Sequence, residues 1–151
     1  MVKFYIETLS ECKDDAKDLL SLHWDQIALN KDRIKLNPDW DTYQVLENKG
    51  ALKIYTAREG ALLVGYFVVV VSRSLHYKDH LFAANDILFL HPDHRKGLVG
   101  GKLIKFAEKR LKADGVSVLS INTKVHKPFD ILLKRLRFTH TENLYSKFLG
   151  D

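Results

Sequence analysis

The chain has 151 residues, of which 24 are Lys or Arg and 19 are Asp or Glu, so its formal net charge at pH 7 is +5. Hydrophobic residues make up 46% and charged residues 28% of the chain, which excludes a disordered or fibrous protein and predicts one compact soluble domain. The single cysteine, Cys12, excludes an internal disulfide and a cysteine-based zinc cluster, and we therefore expect a reducing, cytoplasmic setting.

The first part of the chain predicts a strand followed by two helices. Residues 2–8 alternate apolar and polar side chains, which is the period of a half-buried strand. Ser10, followed by early acidic residues, is the expected N-cap of a long helix that ends near Asn30. After a charged loop, Pro38 and Asp39 begin a second helix, which Gly50 stops.

The rest of the chain predicts a hairpin and then alternating helices and strands. The predicted hairpin has strands at residues 51–58 and 62–74. A strand at 81–90, a helix at 97–113, a strand at 116–121 and a helix at 128–136 follow, and a pair of short strands at 138–149 ends the series. The most apolar run, residues 62–71, is too short for a membrane-spanning helix, which needs roughly 20 residues. The N-terminus lacks the pattern of a signal peptide, and we expect no membrane association.

The predicted order β-α-α-β-β-β-α-β-α-β-β indicates a single-domain α/β fold with a twisted, mixed sheet flanked by helices. No linker rich in Pro, Gly or Ser and no internal repeat divides the chain. Residues 81–121, which read as strand, helix and strand, are expected to form a right-handed parallel crossover.

Residues 91–104 form a turn rich in glycine and basic side chains between a strand and a helix. Free backbone N–H groups at a helix N-terminus carry partial positive charge, and glycine allows a phosphate to approach them closely. Arg95, Lys96 and Lys102 add full charges. The segment has neither the Gly-Lys-Ser/Thr of a Walker loop nor a G-x-G-x-x-G pattern. It predicts a pyrophosphate site; the alternative is a tight turn without a ligand.

This segment resembles motif A of the GNAT family of N-acetyltransferases, whose Arg/Gln-x-x-Gly-x-Gly/Ala pattern binds the pyrophosphate of acetyl-CoA. Arg95 and Gly100 match the first and last positions, while Leu98 replaces the middle glycine. The order of elements is similar over nearly the whole chain, and the length and pattern resemble the short phage and prophage members. The resemblance implies a GNAT-like acyl-CoA N-acyltransferase fold for residues 1–151. It also implies that acetyl-CoA, as cosubstrate, gives its acetyl group to a primary amine by direct transfer in a ternary complex.

The resemblance also implies which residues contact the cosubstrate. They follow the fourth predicted strand into the helix and include one asparagine after the fifth strand: Leu88, Phe89, Leu90, Arg95, Lys96, Gly97, Leu98, Val99, Gly100, Gly101 and Asn122. Residues 136–138 resemble the terminal Leu-Gly-Phe of the family, with Arg137 in place of glycine. Many members have a tyrosine five residues before that Phe138, which protonates the leaving thiolate. This chain has Leu133 there, so the usual general acid is absent.

Asp86 is the candidate general base. Acetyl transfer to an amine needs a neutral amine, a polarised thioester carbonyl and a proton for the leaving thiolate. Strand alternation places Asp86 on the same face as Leu88 and Leu90. In the family an acid at this place acts as base through water or binds the substrate ammonium; the alternative is a solvated carboxylate at the start of a strand.

Other polar side chains are candidates for the remaining roles. His76 and Tyr77 follow the third predicted strand, and we expect them near the start of the fourth. Tyr145 lies on a late predicted strand and is a candidate for the missing acid. His23 and Tyr43, like Tyr77, are candidates for substrate binding, with surface exposure or core packing as the alternative.

Several alternatives stay open. The basic side chains within 102–112 and 124–137 are typical of solvated helix faces. They also fit a nucleic-acid-binding module or an enzyme that acetylates aminoacyl-tRNA. A CoA-binding domain without catalysis is a further possibility. The pattern predicts no metal site. The expected partner is an acceptor that bears an amine, either a small molecule or a protein, and a homodimer is left open.

Overall fold

The computed structural model describes residues 1–150, which form one mixed α/β domain. Its strands are β1 (Val2–Ile6), β2 (Leu52–Glu59), β3 (Leu62–Arg73), β4 (Leu81–Leu90) and β5 (Val116–Ser120). Its helices are α1 (Leu9–Ile27), α2 (Trp40–Asn48), α3 (Val99–Ala113) and α4 (Asp130–Arg135), with a 3-10 turn at Pro92–His94. No helix within residues 1–150 is both long and apolar enough to cross a membrane.

The five strands form one sheet in the order β1-β2-β3-β4-β5. Neighbouring strands from β1 to β4 are antiparallel, whereas β4 and β5 are parallel and are joined through α3. The predicted hairpin and the parallel pairing of the predicted crossover are therefore confirmed, while its right-handedness stays a prediction. A parallel connection needs a long crossover, and the helix of residues 99–113 provides it.

Apolar side chains bury both faces of the sheet. On one face, α1 and α2 pack against residues such as Tyr66 and Phe89. On the other face, α3 packs Leu103 and Leu111 against residues such as Phe67. Helix α3 shows why this happens: its apolar residues recur every three or four positions, so one stripe faces the sheet and the basic residues face water.

The N-cap of the first helix lies two residues before the predicted one. Thr8, rather than Ser10, is the cap: its hydroxyl accepts a hydrogen bond from the N–H of Glu11 at 3.3 Å. The Glu11 carboxylate in turn accepts one from the N–H of Thr8 at 2.7 Å. This reciprocal capping box pairs two N–H groups that a helix leaves free, and it outweighs the single cap available at Ser10.

The two short strands predicted for residues 138–149 are not present, and that part of the prediction is wrong. Residues 138–150 contain no strand, and Leu144, Tyr145 and Leu149 are more than 80% exposed. Strand-forming residues make a stable strand only when they pair with a sheet edge and bury one face. Here the segment buries little, and its Phe148 ring contacts the Arg33 guanidinium at 5.1 Å.

Candidate active site

Strand β4 contains a β-bulge at Asp86. In the register with β3, Ile87 lies opposite Val68, but Asn85 lies opposite Val69, so Asp86 has no partner on β3. A bulge adds one residue to one strand and interrupts the alternation of its side chains. The two sides of this bulge therefore follow different alternation phases.

The bulge reverses the predicted orientation of Asp86. Asp86 accepts a hydrogen bond from the Tyr43 hydroxyl, and Tyr43 packs against the cluster beneath α1 and α2. Leu88 and Leu90 pack against the α3 cluster on the opposite face. The prediction that Asp86 shares a face with Leu88 and Leu90 is wrong, because simple alternation does not hold across an inserted residue.

A gap between β4 and β5 opens beside the bulge. The last paired residues of the two strands are Ala84 and Ser120. The side-chain oxygen of Asn85 then accepts a hydrogen bond of 2.8 Å from the N–H of Asn122, which links the strands where their pairing ends. From Asp86 onward, β4 has no partner strand on this side within residues 1–150, and we call this unpaired stretch, which ends where Arg95 binds the Leu90 carbonyl, the free edge of β4.

The N-terminus of α3 borders the same part of β4 and has features of an anion site. Leu98 is its N-cap and makes no side-chain hydrogen bond, and no acidic residue lies in the first turn. The first helical bond runs from the Lys102 N–H to the Leu98 carbonyl at 2.9 Å. The preceding N–H groups are therefore not capped by any side chain of the described residues, which is the arrangement that favours a bound phosphate.

Glycines shape this turn in two different ways. Gly97 has φ +103°, a conformation that side chains rarely adopt, and a Cβ there would meet nothing within 4 Å. Glycine at position 97 is therefore needed for the backbone conformation of the turn and not for space around a side chain. Gly101 instead allows α4 to approach, because a Cβ there would lie 3.3 Å from a methyl group of Leu132.

Arg95 is exposed, and its side chain is directed towards β4 and α1. Its Nε donates to the Leu90 carbonyl at 2.8 Å, and one terminal nitrogen donates to the Gln26 side chain at 2.9 Å. The guanidinium also lies 5.0 Å from the centre of the Phe89 ring. Partial burial lowers the pKa of Arg95. In this conformation Arg95 links the loop to β4 and α1, while Lys96 and Lys102 are exposed beside the turn.

A cavity lies on the α1 and α2 side of the sheet, and we name it the α1–α2 cavity. Its volume is about 310 Å³. Its walls come from α1, the 34–38 segment, α2 and strands β2 to β4, and most of them are apolar or aromatic: Leu9, Cys12, Lys13, Ala16, Leu20, Trp24, Ile34, Lys35, Leu36, Asn37, Pro38, Trp40, Tyr43, Ile54, Thr56, Leu63, Tyr66, Val68 and Ile87. Tyr43 joins this cavity to Asp86.

His23 and Tyr66 form a half-buried polar pair next to the α1–α2 cavity. The Nδ1 of His23 and the Tyr66 hydroxyl share a hydrogen bond of 2.7 Å, and the imidazole stacks on Phe89 with ring centres 4.5 Å apart. Burial, together with the nearby charges of Arg95 and Lys124, lowers the pKa of His23 to about 4. His23 is therefore neutral near pH 7. Burial also raises the pKa of Tyr66.

The other candidate proton carriers lie elsewhere. Tyr77 stacks on Phe82 at 6.1 Å, and His76 contacts Tyr77, so both lie near the start of β4 as expected. Asp86 lies four residues beyond Phe82 on β4, which is about 13 Å at the usual rise of a strand. Tyr145 is 89% exposed, and within residues 1–150 no hydrogen bond joins it to Asp86.

Sequence reasoning did not single out Asn85 or Tyr66. Tyr66 had a usable signal, because it places a hydroxyl in the middle of an otherwise apolar strand. Asn85 had none, since its role depends on where the pairing of β4 and β5 ends.

A scan against protein-family models finds no match, and a search of curated proteins finds none. Solved structures do match. Glucosamine-6-phosphate N-acetyltransferase from Arabidopsis thaliana is 12% identical, with 99% of each chain covered and a TM-score of 0.76. Ribosomal-protein-alanine N-acetyltransferase from Brucella melitensis biovar Abortus 2308 is 17% identical, with 100% of this chain and 99% of that chain covered and a TM-score of 0.69.

This chain has the GNAT fold. A further structure with this fold, a predicted acetyltransferase from Clostridium acetobutylicum solved with acetyl-CoA, is 12% identical over 99% of this chain and 97% of that chain, with a TM-score of 0.70. At these identities the similarity shows the GNAT fold alone, and the chemistry has to be argued from the site.

The site has features that fit acetyl-CoA. The uncapped N-terminus of α3 offers N–H groups to a pyrophosphate, and the turn before it leaves open space at Gly97. The free edge of β4 offers backbone groups to an extended chain carrying amides. Both features border the gap: the unpaired edge of β4 begins at Asp86, and Gly100 at the start of α3 faces Leu90 at the other end of that edge.

Proposed function

We propose that this chain is an acetyl-CoA-dependent N-acetyltransferase that acetylates a primary amine by direct transfer in a ternary complex. The observation that carries the proposal is the uncapped N-terminus of α3 beside the gap between β4 and β5. The GNAT fold supports it. We also propose that residues 1–151 act as one domain, and that the domain is cytoplasmic, where the lone buried thiol of Cys12 stays reduced.

Backbone groups would hold the donor. The N–H groups of Val99, Gly100 and Gly101 would bind the pyrophosphate, and Lys96 and Lys102 would add positive charge. Acetyl-CoA supplies an acetyl group as a thioester. The free edge of β4 beyond the bulge would pair with the amides of its pantetheine arm and direct the thioester towards Asp86.

Asp86 would bind the acceptor ammonium and take one of its protons, directly or through water. The nitrogen lone pair then forms the N–C bond to the thioester carbonyl carbon. The C–S bond breaks, and its electron pair leaves with sulfur. The nitrogen then loses a second proton and the thiolate takes up one proton, so the products are an N-acetyl amine and the CoA thiol, and the proton held by Asp86 is released to water.

Tyr43 is a proton-bearing group next to Asp86. Burial raises the pKa of Tyr43, and its hydrogen bond to Asp86 raises this pKa further. The phenol therefore remains protonated through neutral and mildly alkaline pH. Leu133, at the usual family position of the general acid, has no hydroxyl. We therefore favour a source of the thiolate's proton on the side of the gap where Tyr43 and Asp86 lie.

Gly100→Glu tests the pyrophosphate site. A carboxylate in the first turn of α3 is compatible with the helix dipole, but it repels phosphate. We expect acetyl-CoA affinity, measured by calorimetry, to fall at least about tenfold while the melting temperature is maintained.

Gly100→Ala is the matched control. A Cβ at Gly100 makes only ordinary contacts, 3.6 Å from Leu132 and 3.8 Å from Leu90. This variant should bind acetyl-CoA like the unmodified protein. If the unmodified protein gives no heat and no thermal shift with saturating acetyl-CoA, the proposed function is wrong.

A further inference from the structure

We propose that the acceptor is a small primary amine on an uncharged apolar body, and that this body occupies the α1–α2 cavity while the ammonium binds Asp86. This inference rests on the proposed function and specifies its substrate class. Its basis is a residue that the two sites share: Tyr43 lines the cavity, and its hydroxyl donates to Asp86.

The size of the cavity fits a small molecule. Its volume of about 310 Å³ lies at the lower end of the range for ligand pockets, roughly 300 to 1,000 Å³. An apolar cavity of roughly 150 Å³ accepts benzene. The α1–α2 cavity therefore has room for one ring and a short alkyl chain, but not for an oligosaccharide or a folded protein segment.

The walls favour an apolar body. Trp24, Trp40 and Ile87 line the cavity together with the rings of Tyr43 and Tyr66. These surfaces offer large apolar area and few hydrogen-bonding groups. A sugar placed there would leave hydroxyl groups unpaired, which costs binding free energy.

The 34–38 segment adds an apolar rim to the cavity. Ile34 is 52% exposed and Leu36 is 41% exposed, and both line the cavity. Their exposure to water is unfavourable unless something covers them. An apolar ligand that fills the cavity would bury these side chains and gain affinity from doing so.

The charges around the cavity exclude polycations. Lys13 and Lys35 line it, and the Lys13 ammonium lies 5.1 Å from the centre of the Trp40 ring. Within residues 1–150, no Asp or Glu side chain lines the cavity. A single ammonium therefore has one favourable position, at Asp86 beyond Tyr43, whereas a second positive charge in the cavity would face two lysines.

The first experiment compares acceptors that all carry a primary amine and differ in the body attached to it. 2-Phenylethylamine, n-hexylamine, glucosamine and kanamycin are incubated with the full chain and acetyl-CoA, and thiol release is followed. We expect kcat/KM for the two apolar amines to exceed that for glucosamine and kanamycin by about thirtyfold or more, because only their bodies gain from burial.

The second experiment reduces the volume of the cavity. Ala16 lines it from α1, and Ala16→Phe places a ring inside. Binding of 2-phenylethylamine, measured by calorimetry without acetyl-CoA, should weaken at least about tenfold. Ala113→Phe is the matched control on the exposed end of α3, and it should bind the amine like the unmodified protein.

A milder pair of variants keeps the test independent of folding. Ile34→Ser removes an apolar side chain from the exposed rim and should weaken 2-phenylethylamine about threefold. Leu62→Ser changes a residue that is 64% exposed on the β2–β3 hairpin and should have no effect.

The outcomes separate this inference from the proposed function. If acetyl-CoA binds and glucosamine or kanamycin is acetylated as well as the apolar amines, the proposed function stands and the inference is overturned. If no amine releases thiol but 2-phenylethylamine binds and loses affinity in Ala16→Phe, the cavity assignment is supported and the proposed function fails. If Ala16→Phe and Ala113→Phe bind the amine equally, the inference is overturned.

Discussion

Asp86 shows how one inserted residue determines the chemistry that a side chain can perform. Without the bulge, strand alternation would direct this carboxylate into the apolar cluster beneath α3, where an ionised group is strongly disfavoured. With the bulge, it reaches the Tyr43 hydroxyl beside the gap between β4 and β5. This is the position from which we propose that it binds an ammonium and accepts a proton.

Asp86→Asn should lower kcat about a hundredfold, since a positioned base commonly contributes that much. The affinity for acetyl-CoA should stay unchanged, because the proposed donor contacts are backbone N–H groups of α3. Steady-state kinetics and calorimetry measure the two quantities separately.

His76→Ala and Tyr145→Phe serve as comparison variants. They remove proton carriers that the structure places at the start of β4 and in the exposed C-terminal segment. If either variant abolishes turnover while Asp86→Asn keeps it, Asp86 is not the base.

The pair of His23 and Tyr66 predicts a pH-dependent stability. Burial lowers the pKa of folded His23 from 6.5 to about 4, so between these values the unfolded chain binds more protons than the folded one. The free energy of unfolding contributed by His23 is therefore present above pH 6.5 and falls as the pH drops towards 4. Allowing for partial exposure, we expect a loss of about 1.5 kcal/mol between roughly pH 7.5 and 5.

Urea unfolding at the two pH values measures this effect. His23→Gln should remove most of the pH dependence, whereas His140→Gln, which changes an exposed histidine in the C-terminal segment, should keep it. An unchanged pH dependence in His23→Gln would contradict the assignment.

At the scale of elements, the two glycines that flank α3 allow the effect of backbone strain to be tested separately from the effect on ligand binding. Gly97 and Gly115 precede and follow this helix, with φ values of +103° and +87°, and a Cβ at either meets nothing within 4 Å. Alanine at either position therefore introduces backbone strain without a steric clash.

Gly97→Ala and Gly115→Ala should each lower the free energy of unfolding by about 1 kcal/mol, because alanine is disfavoured at positive φ. Only Gly97→Ala should also weaken acetyl-CoA binding, since only Gly97 shapes the path of the proposed pyrophosphate turn. Chemical denaturation and calorimetry give the two readouts. Equal acetyl-CoA affinity in both variants would exclude the turn from the binding site.

In the C-terminal segment, a strand-like sequence pattern does not lead to a strand. Residues 138–149 have strand-like composition, yet they remain outside the sheet, and β5 keeps an open outer edge within the described residues. Helix α4 behaves differently because Leu132 has a partner: it packs against the glycines at the start of α3. Composition alone did not distinguish these two cases.

At the scale of the whole molecule, the net charge of +5 leaves a nucleic-acid partner to be tested. The basic residues of α3 lie on its solvent face, where Arg110 also covers the Phe106 ring at 5.2 Å. Such a face is typical of an amphipathic helix, whereas a nucleic-acid surface would neutralise several phosphates at once.

Salt dependence distinguishes the two. Between roughly 50 and 200 mM salt, acetyl-CoA affinity should fall less than about tenfold, whereas a protein neutralising six to ten phosphates loses roughly a thousandfold or more. Calorimetry with acetyl-CoA and filter binding with tRNA and duplex DNA make the comparison. Tight, salt-sensitive retention of tRNA or DNA would favour the nucleic-acid alternative.

The amino-acid sequence by itself determined the element order as far as α4 and the turn into α3. Those features depend on local patterns: alternation in the strands, helical periodicity in α3 and glycine at positive φ. Only the tertiary structure decided the orientation of Asp86, the absence of the last two strands and the pairing of His23 with Tyr66, which are 43 residues apart. These features depend on register and on partners distant in the chain, and a local pattern carries no information about either.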